Sequence, residues 1–218
     1  MRFMFRILLL ITVLFYASPA RADYFLWEDQ KSGLTISFPD TWKVQSNRNP
    51  DDIFTVMAPS ENDQPVCKVK VREERRYVIY PPKFGSDVQK VAVSAPFWEQ
   101  YLGEYSGHNL SNVYDGAGLG RWFASYALAS YATYSGNVLQ HRRALMFASL
   151  YNDKLYILEC STLNHAYEDW RVIFQSIVKS IDFKKAYNEN VTGYYANFLK
   201  GADHYFWSQT DPVGTAGY

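Results

Sequence analysis

The chain has 218 residues, of which 48% are hydrophobic and 20% are charged, a composition typical of a globular protein. Three of its 22 basic residues lie in the first 22 positions, so the rest of the chain carries 19 basic and 22 acidic residues, a net charge near −3. That balance argues against nucleic-acid binding, which depends on a basic surface, and it argues equally against attachment to anionic lipid by charge.

The N-terminus has the organisation of a secretory signal peptide. Two arginines near the start form a positive segment, the uncharged apolar run 7–17 follows, and Ala20-Arg-Ala22 provides an A-x-A cleavage site. The apolar run is too short for a membrane-spanning helix, which needs about 20 residues. We therefore predict that residues 1–22 are removed, that the mature chain begins at Asp23 without a membrane span, and that the protein is periplasmic or secreted.

Alternating apolar and polar residues predict strands in the first part of the mature chain. Residues 24–28 form an apolar run, and residues 34–38 alternate apolar with hydroxyl-bearing side chains, the period of a half-buried strand. Pro39 lacks a backbone N–H and ends that strand, so we expect residues 42–45 to return as the second strand of a hairpin. Two further strands are predicted, at 53–57 and 66–72.

Two helices are predicted from apolar residues spaced by three and four positions. The first begins near Ala95 behind Ser94 as N-cap, and its apolar face runs from Trp98 to Tyr105. The second follows Asn164 as N-cap, and its apolar stripe within 170–181 is expected to pack against a sheet. Between the helices, three strands joined by tight turns form a meander, at 122–134, 138–150 and 155–160.

This order of strands, a helix, a meander and a closing amphipathic helix resembles the Mog1/PsbP-like family. The segments that carry the resemblance are GLTISFPDTWKV at 33–44, NDKLYIL at 152–158, and the closing helix 170–183 with its terminal SIDF. The resemblance covers about residues 24–183. It implies an α+β fold in which an antiparallel β-sheet is flanked by helices as an α/β/α sandwich, and it implies a non-catalytic accessory or partner-binding domain without a cofactor.

The C-terminal segment 184–218 departs from the family pattern. Its periodicity disappears, yet it contains eight aromatic residues, which disordered segments normally lack. We therefore divide the mature chain into a domain at 23–183 and an aromatic tail at 184–218 that binds a protein partner in the cell envelope or a groove on its own domain. The candidate contact residues are Tyr194, Tyr195, Phe198, Tyr205, Phe206 and Trp207.

The chain has two cysteines, Cys67 and Cys160, and both lie in predicted strands. In an oxidising compartment an even pair indicates a disulfide. Alternation places each cysteine on the apolar face of its strand, and it places Lys68, Lys70 and Arg72 together on the opposite face. If the two strands approach each other the disulfide can form, but two buried thiols on separate strands are equally compatible with the alternation.

The sequence gives weaker indications of other functional sites. The histidines His108, His141, His165 and His204 show no metal-binding spacing. The glycine-rich segment 116–120 lacks the spacing of a phosphate loop and indicates a bend before a strand. Cys160 and His165 are an alternative to the disulfide, as a thiolate–imidazole pair. The basic cluster His141-Arg142-Arg143, expected on solvent-facing strand positions, is a candidate anion-binding or partner-binding patch.

Two functions remain open from the sequence. One is a soluble, exported, non-catalytic accessory or partner-binding protein of the bacterial envelope. The alternative is a periplasmic hydrolase or redox enzyme whose site is assembled only in three dimensions. A deep cleft in which His108, His141 or carboxylates converge would favour the enzyme, and a closed core with a shallow aromatic groove would favour binding.

Overall fold

The computed structural model describes residues 23–45 and 49–186. The predicted signal peptide and the six candidate aromatic residues of the tail lie outside the described residues. Both therefore stay predictions, as does the boundary between the domain and its tail.

The described chain contains ten strands and three α-helices. The strands are β1 (Tyr24–Asp29), β2 (Leu34–Pro39), β3 (Lys43–Val44), β4 (Asp52–Met57), β5 (Val66–Glu73), β6 (Ser106–Leu119), β7 (Trp122–Ser135), β8 (Val138–Tyr151), β9 (Lys154–Leu163) and β10 (Asp182–Phe183). The helices are α1 (Gly85–Ala92), α2 (Ala95–Leu102) and α3 (Tyr167–Ser180), and short 3₁₀ turns at Pro82–Phe84 and Asn164–Ala166 precede α1 and α3.

The strands form two antiparallel sheets. The large sheet has the order β3-β4-β5-β9-β8-β7-β6, and the small sheet has the order β1-β2-β10. Helices α1 and α2 pack on one face of the large sheet, where Trp98 and Met146 belong to one apolar cluster. Helix α3 and the small sheet pack on the other face, where Phe54, Phe147 and Phe174 belong to a second cluster. The predicted α+β class, with an antiparallel sheet between helices, is confirmed.

The hairpin predicted at residues 34–45 is wrong. Strand β2 pairs with β1 and β10 in the small sheet, whereas β3 pairs with β4 in the large sheet. The turn after Pro39 therefore carries the chain from one sheet to the other. Trp42, at this corner, is 5% exposed and its ring meets that of Trp170 edge-on at 5.9 Å. A corner between packed sheets and a hairpin share the same proline and turn residues, so the local pattern does not distinguish them.

The predicted three-strand meander has a fourth strand, β6, which the pattern misses. Strand β6 lies at the edge of the large sheet, is rich in polar residues and glycine, and shows three register shifts against β7. Edge strands need no continuous apolar face, so the alternation on which strand prediction relies is weak here. The bend expected at 116–120 is a shift within this strand, between Tyr114 and Ala117, with Gly116 at φ +78°.

The apolar faces of the helices were predicted more accurately than their N-caps. Helix α2 begins at Ala95, as predicted, with Ser94 at the N-cap position but without a side-chain capping hydrogen bond. Helix α3 begins at Tyr167 after a 3₁₀ turn, so Asn164 is not its N-cap. In the described part of the chain, each helix is too short or too polar to cross a bilayer.

The turn between β6 and β7 depends on Gly120. This residue has φ +60°, and a Cβ atom there would lie 3.1 Å from the Phe183 ring. We expect Gly120→Ala to lower the free energy of unfolding by about 2–3 kcal/mol, because a left-handed backbone and a displaced aromatic ring both cost energy. Denaturant unfolding measures this loss.

Gly136, in the turn between β7 and β8, provides the matched control. Its φ is +61°, but a Cβ atom there would meet nothing within 4 Å. Gly136→Ala should therefore show only the backbone cost, about 1–2 kcal/mol. Equal losses for the two variants would contradict a role for the contact with Phe183.

Candidate functional site

Cys67 and Cys160 form a disulfide inside the large sheet. They lie directly opposite each other on β5 and β9, their Cα atoms are 4.0 Å apart, and both side chains are fully buried. The predicted disulfide is confirmed, and the alternative of two separate buried thiols is wrong. Because the Cys160 sulfur is bonded to Cys67, the alternative thiolate pair with His165 is also wrong.

The residues next to the disulfide turn to the other face of the sheet and form a buried polar cluster. Lys68 lies opposite Glu159 in the β5–β9 register, with Nζ 3.2 Å from Oε2. Glu159 is 2% exposed, and three phenols surround its carboxylate. Tyr101 and Tyr105 donate hydrogen bonds to Oε2 at 2.7 and 3.1 Å, and Tyr131 donates to Oε1. We call these five residues the Glu159 cluster.

Distant parts of the chain bring the three phenols together. Tyr101 belongs to α2, Tyr105 follows that helix, and Tyr131 belongs to β7, two strands away from Glu159. The rings of Tyr105 and Tyr131 stack with centroids 4.1 Å apart. Lys68 Nζ contacts the Tyr105 hydroxyl and lies 5.0 Å from the centroid of its ring. The cluster therefore joins α2 to three strands of the large sheet.

The protonation states of the cluster follow from its electrostatics. Burial opposes ionisation of Glu159, but the charge of Lys68 and the hydroxyls of Tyr131 and Tyr101 outweigh it, so the pKa of Glu159 is lowered. Burial first, and the Glu159 charge second, raise the pKa of all three phenols. At neutral pH the cluster thus holds one carboxylate that accepts hydrogen bonds from three protonated phenols. Neither the Glu159 carboxylate nor the three phenols change protonation state near pH 7.

The Glu159 cluster opens into a groove of about 340 Å³ on the face of the sheet that also carries α1 and α2. The groove crosses β4, β5, β9, β8 and β7, so strands form its floor. We call it the polar groove, because its lining is rich in hydroxyls and amides. Its polar rim and walls include Asn49, Thr55, Gln64, Thr133, Gln140 and Ser161.

Arg142 adds a buried cation to the polar groove. Its residue exposure is 7%. Its Nη2 atom donates to the carbonyl oxygens of Gln64 at 2.7 Å and Ser161 at 3.1 Å, and Nε lies 3.3 Å from Ser161 Oγ. Within residues 23–45 and 49–186, no carboxylate lies within ion-pair distance of this guanidinium. A buried guanidinium held only by neutral acceptors favours an anionic group beside it, although the carboxylates of Asp52 and Glu159 also line the groove.

The structure separates the predicted basic patch His141-Arg142-Arg143. Alternation along β8 turns Arg142 into the polar groove, so the expectation that it faces solvent is wrong. Arg143 turns to the opposite face, where Nη1 lies 3.2 Å from Glu168 Oε1 and the guanidinium lies 4.5 Å from the centre of the Tyr167 ring. His141 is exposed. The three side chains do not form one patch, and a binding role for each stays a prediction.

The described histidines, His108, His141 and His165, do not converge on a cleft, and His204 lies outside the described residues. His108 Nε2 lies 3.3 Å from Glu99 Oε2, and His165 Nε2 lies 3.7 Å from Asp63 Oδ1. Among the residues described by the structure, no group of three or more His, Cys, Asp or Glu side chains has the arrangement of a metal site. The arrangement expected for a three-dimensionally assembled hydrolase is therefore not formed by these histidines.

A second, smaller groove of about 230 Å³ lies beside α1. Its walls are the segment 77–82, Trp122, Tyr151 and Ala186, and we call it the aromatic groove. The segment 77–82 presents apolar side chains to solvent, with Ile79 80% exposed and Tyr80 51% exposed. The groove therefore presents aromatic and aliphatic side chains at the surface of the protein.

Comparisons with known proteins find structures of similar fold at low sequence identity. No family model matches the sequence, and no curated protein matches it. Among solved structures, the PsbP of the cyanobacterium Synechocystis is 14% identical and has a TM-score of 0.49, with 77% of this chain and 96% of that chain covered. The Ran-binding protein Mog1p of Saccharomyces cerevisiae is 8% identical with a TM-score of 0.45, covering 75% of this chain and 96% of that one.

A third similar structure is LpqN of Mycobacterium tuberculosis, described as involved in cell envelope biogenesis. It is 13% identical with a TM-score of 0.44, and 75% of this chain and 91% of that chain are covered. The similar structures thus include both namesakes of the family that the sequence resembles, and the Mog1/PsbP-like resemblance is confirmed. At these identities and scores the likeness concerns the fold and carries no argument about function.

Sequence reasoning missed the Glu159 cluster. Alternation correctly grouped Lys68 with Lys70, but it indicated nothing about their partners; Lys70 is 2% exposed, with Nζ 3.2 Å from Glu104 Oε2. One signal was available. Glu159 is the single acid in the otherwise apolar and hydroxyl-bearing run LYILECSTL at 155–163, and an acid in such a strand requires a buried partner.

Proposed function

We propose that the protein is an exported, non-catalytic binding protein of the bacterial envelope that holds an acidic segment of a protein partner in the polar groove. The observation that carries the proposal is Arg142, a buried guanidinium in the groove whose described neighbours are carbonyl and hydroxyl oxygens. A carboxylate from a partner would supply the missing counter-charge. The hydroxyls and amides of the groove suit a polypeptide, since a peptide backbone offers donors and acceptors alternately.

The chemistry of the groove supports binding over catalysis. The Glu159 carboxylate already accepts hydrogen bonds from three phenols and is paired with Lys68. The phenols have raised pKa values, so they remain hydrogen-bond donors at neutral pH. Groups locked in this way position one another and shape a surface; they do not take up or release protons during a reaction near neutral pH.

The disulfide supports export. Cys67 and Cys160 are joined in the centre of the sheet, and structural disulfides persist in oxidising compartments such as the periplasm. The signal-peptide pattern of residues 1–22 indicates the same compartment. Both observations are independent of the groove.

The proposal is tested by blocking the groove. Thr133 lies on the groove wall and is partly exposed, so Thr133→Trp fills the groove at modest cost to the fold. The immobilised full chain is incubated with envelope extract, and the retained proteins are quantified by mass spectrometry. We expect Thr133→Trp to lower retention of the specific partner at least about tenfold, the consequence of losing roughly 1.4 kcal/mol of binding energy.

The same substitution elsewhere provides the control. Thr41 is exposed in the turn after β2 and outside the groove, so Thr41→Trp should retain the partner like the wild type. The acidic character of the ligand is tested separately: Gln140→Glu, in the groove, should weaken retention, whereas Gln30→Glu, in an exposed turn, should not. Equal retention by all variants, or no retention by the wild type, would reject the proposal.

A further inference from the structure

The aromatic groove offers an apolar surface at the point where the described chain ends. Ala186, the last described residue, lines the groove, and its backbone N–H donates to the Tyr151 hydroxyl at 2.8 Å. Across the groove, Val78, Ile79 and Tyr80 are 47%, 80% and 51% exposed. Three consecutive exposed apolar residues of this size are unfavourable in water unless something covers them.

The walls of the groove are fixed by the surrounding structure. Trp122 packs directly on Gly85 at the start of α1, where an added Cβ atom would come within 2.5 Å of the indole ring. The Trp122 and Tyr151 rings lie 5.8 Å apart. A preformed apolar cleft of this kind can bind an aromatic side chain without the entropy cost of ordering its own walls.

The chain itself supplies the matching chemistry. Residues 187–218 follow Ala186 without interruption and contain eight aromatic side chains, the first of them at position 187. A segment tethered at the edge of a groove samples it at an effective concentration in the millimolar range, so even weak aromatic contacts are populated. We propose that the segment 187–218 of the same chain docks in the aromatic groove and covers Ile79 and Tyr80.

Hydrogen exchange followed by mass spectrometry on the full chain tests this inference. In the wild type, peptides from within 187–218 and the peptide covering 77–82 should exchange more slowly than unstructured peptides of the same sequence. Ile79→Asp places a charge on the exposed wall, and we expect it to speed exchange within 187–218 at least about tenfold. Tyr80→Ser, which removes a ring from the same wall, should act in the same direction.

Val172→Asp is the matched control. Val172 is 66% exposed on α3 and does not line the aromatic groove, so this variant should leave exchange within 187–218 unchanged. Exchange of the β7–β9 peptides reports whether each variant is folded. Unprotected exchange of 187–218 in the wild type would overturn the inference, as would protection that disappears on dilution, which would identify a second copy as the occupant. Equal exchange in Ile79→Asp and Val172→Asp would overturn it too.

Discussion

Replacing Cys67 and Cys160 together by alanine should lower the free energy of unfolding by about 4–5 kcal/mol. The two residues are 93 positions apart, so their bond closes a long loop and removes many conformations from the unfolded chain. For a domain of this size, the loss corresponds to a fall in melting temperature of roughly 10–15 °C. Thermal and denaturant unfolding without reductant, compared between wild type and the double variant, measures both quantities.

Thiol counting tests the same bond without mutation. Denatured but unreduced wild-type protein should contain no reactive thiol, and reduction after denaturation should release two. In the native state, mild reductant should leave the bond intact, because both sulfur atoms are buried in the sheet. Two free thiols in the unreduced protein, or a double variant as stable as the wild type, would show that the loop closure does not contribute.

Removing the charge of Glu159 should be nearly as damaging, at about 3–5 kcal/mol for Glu159→Gln. The substitution leaves Lys68 without its counter-charge at a site where the lysine side chain is only 19% exposed. It also replaces one of the two accepting oxygens by an amide donor that faces the hydroxyls of three phenols. Denaturant unfolding at neutral pH measures the loss.

A surface carboxylate provides the comparison. Glu168 is paired with Arg143, but its side chain is 58% exposed, so Glu168→Gln should cost less than about 1 kcal/mol. If Glu159→Gln and Glu168→Gln are equally mild, the buried cluster does not stabilise the fold.

Protonation of Glu159 should contribute to the pH dependence of the free energy of unfolding. Its pKa is lower in the folded protein than in the unfolded chain, because Lys68 and the phenols favour the carboxylate. The stabilisation is therefore present above the unfolded-state pKa of about 4.3 and is lost as the pH falls through the folded-state value. Wild type should lose stability on acidification through this range, and Glu159→Gln should lose less. Parallel pH profiles for the two proteins would contradict the assignment.

The local pattern of the sequence determined much of the secondary structure. Alternation over 122–134 and 138–150 marks β7 and β8 within a residue or two of their ends, and the spacing from Trp98 marks the buried face of α2. These patterns are reliable because each strand or helix buries one face. Its apolar residues therefore recur with the period of the strand or helix, which can be seen in consecutive residues. The order of these elements was sufficient to indicate an α+β fold with an antiparallel sheet between helices.

Pairing between distant strands was decided only by the tertiary structure. Cys67 on β5 and Cys160 on β9 are 93 positions apart, and the two strands are not joined by a turn, so nothing local sets their register. That register places Cys67 opposite Cys160 on one face and Lys68 opposite Glu159 on the other. A shift by one residue would leave both pairs unmade, which is why alternation alone kept the disulfide and the free thiols equally open.

The candidate site depends more than any other feature on contacts between distant parts of the chain. Glu159 meets Tyr131 from two strands away and Tyr101 from a helix on the sheet face, and Arg142 enters the groove because neighbouring residues on β8 turn to opposite faces. Apart from Glu159, the single acid of its run, these residues look ordinary in the sequence, as a surface arginine or core tyrosines. The sequence determined which side chains were present and that neighbours along a strand point to opposite faces. Packing of the helix and register of the sheet decided which face is covered and which side chains meet, because those depend on contacts between parts of the chain that no local pattern connects.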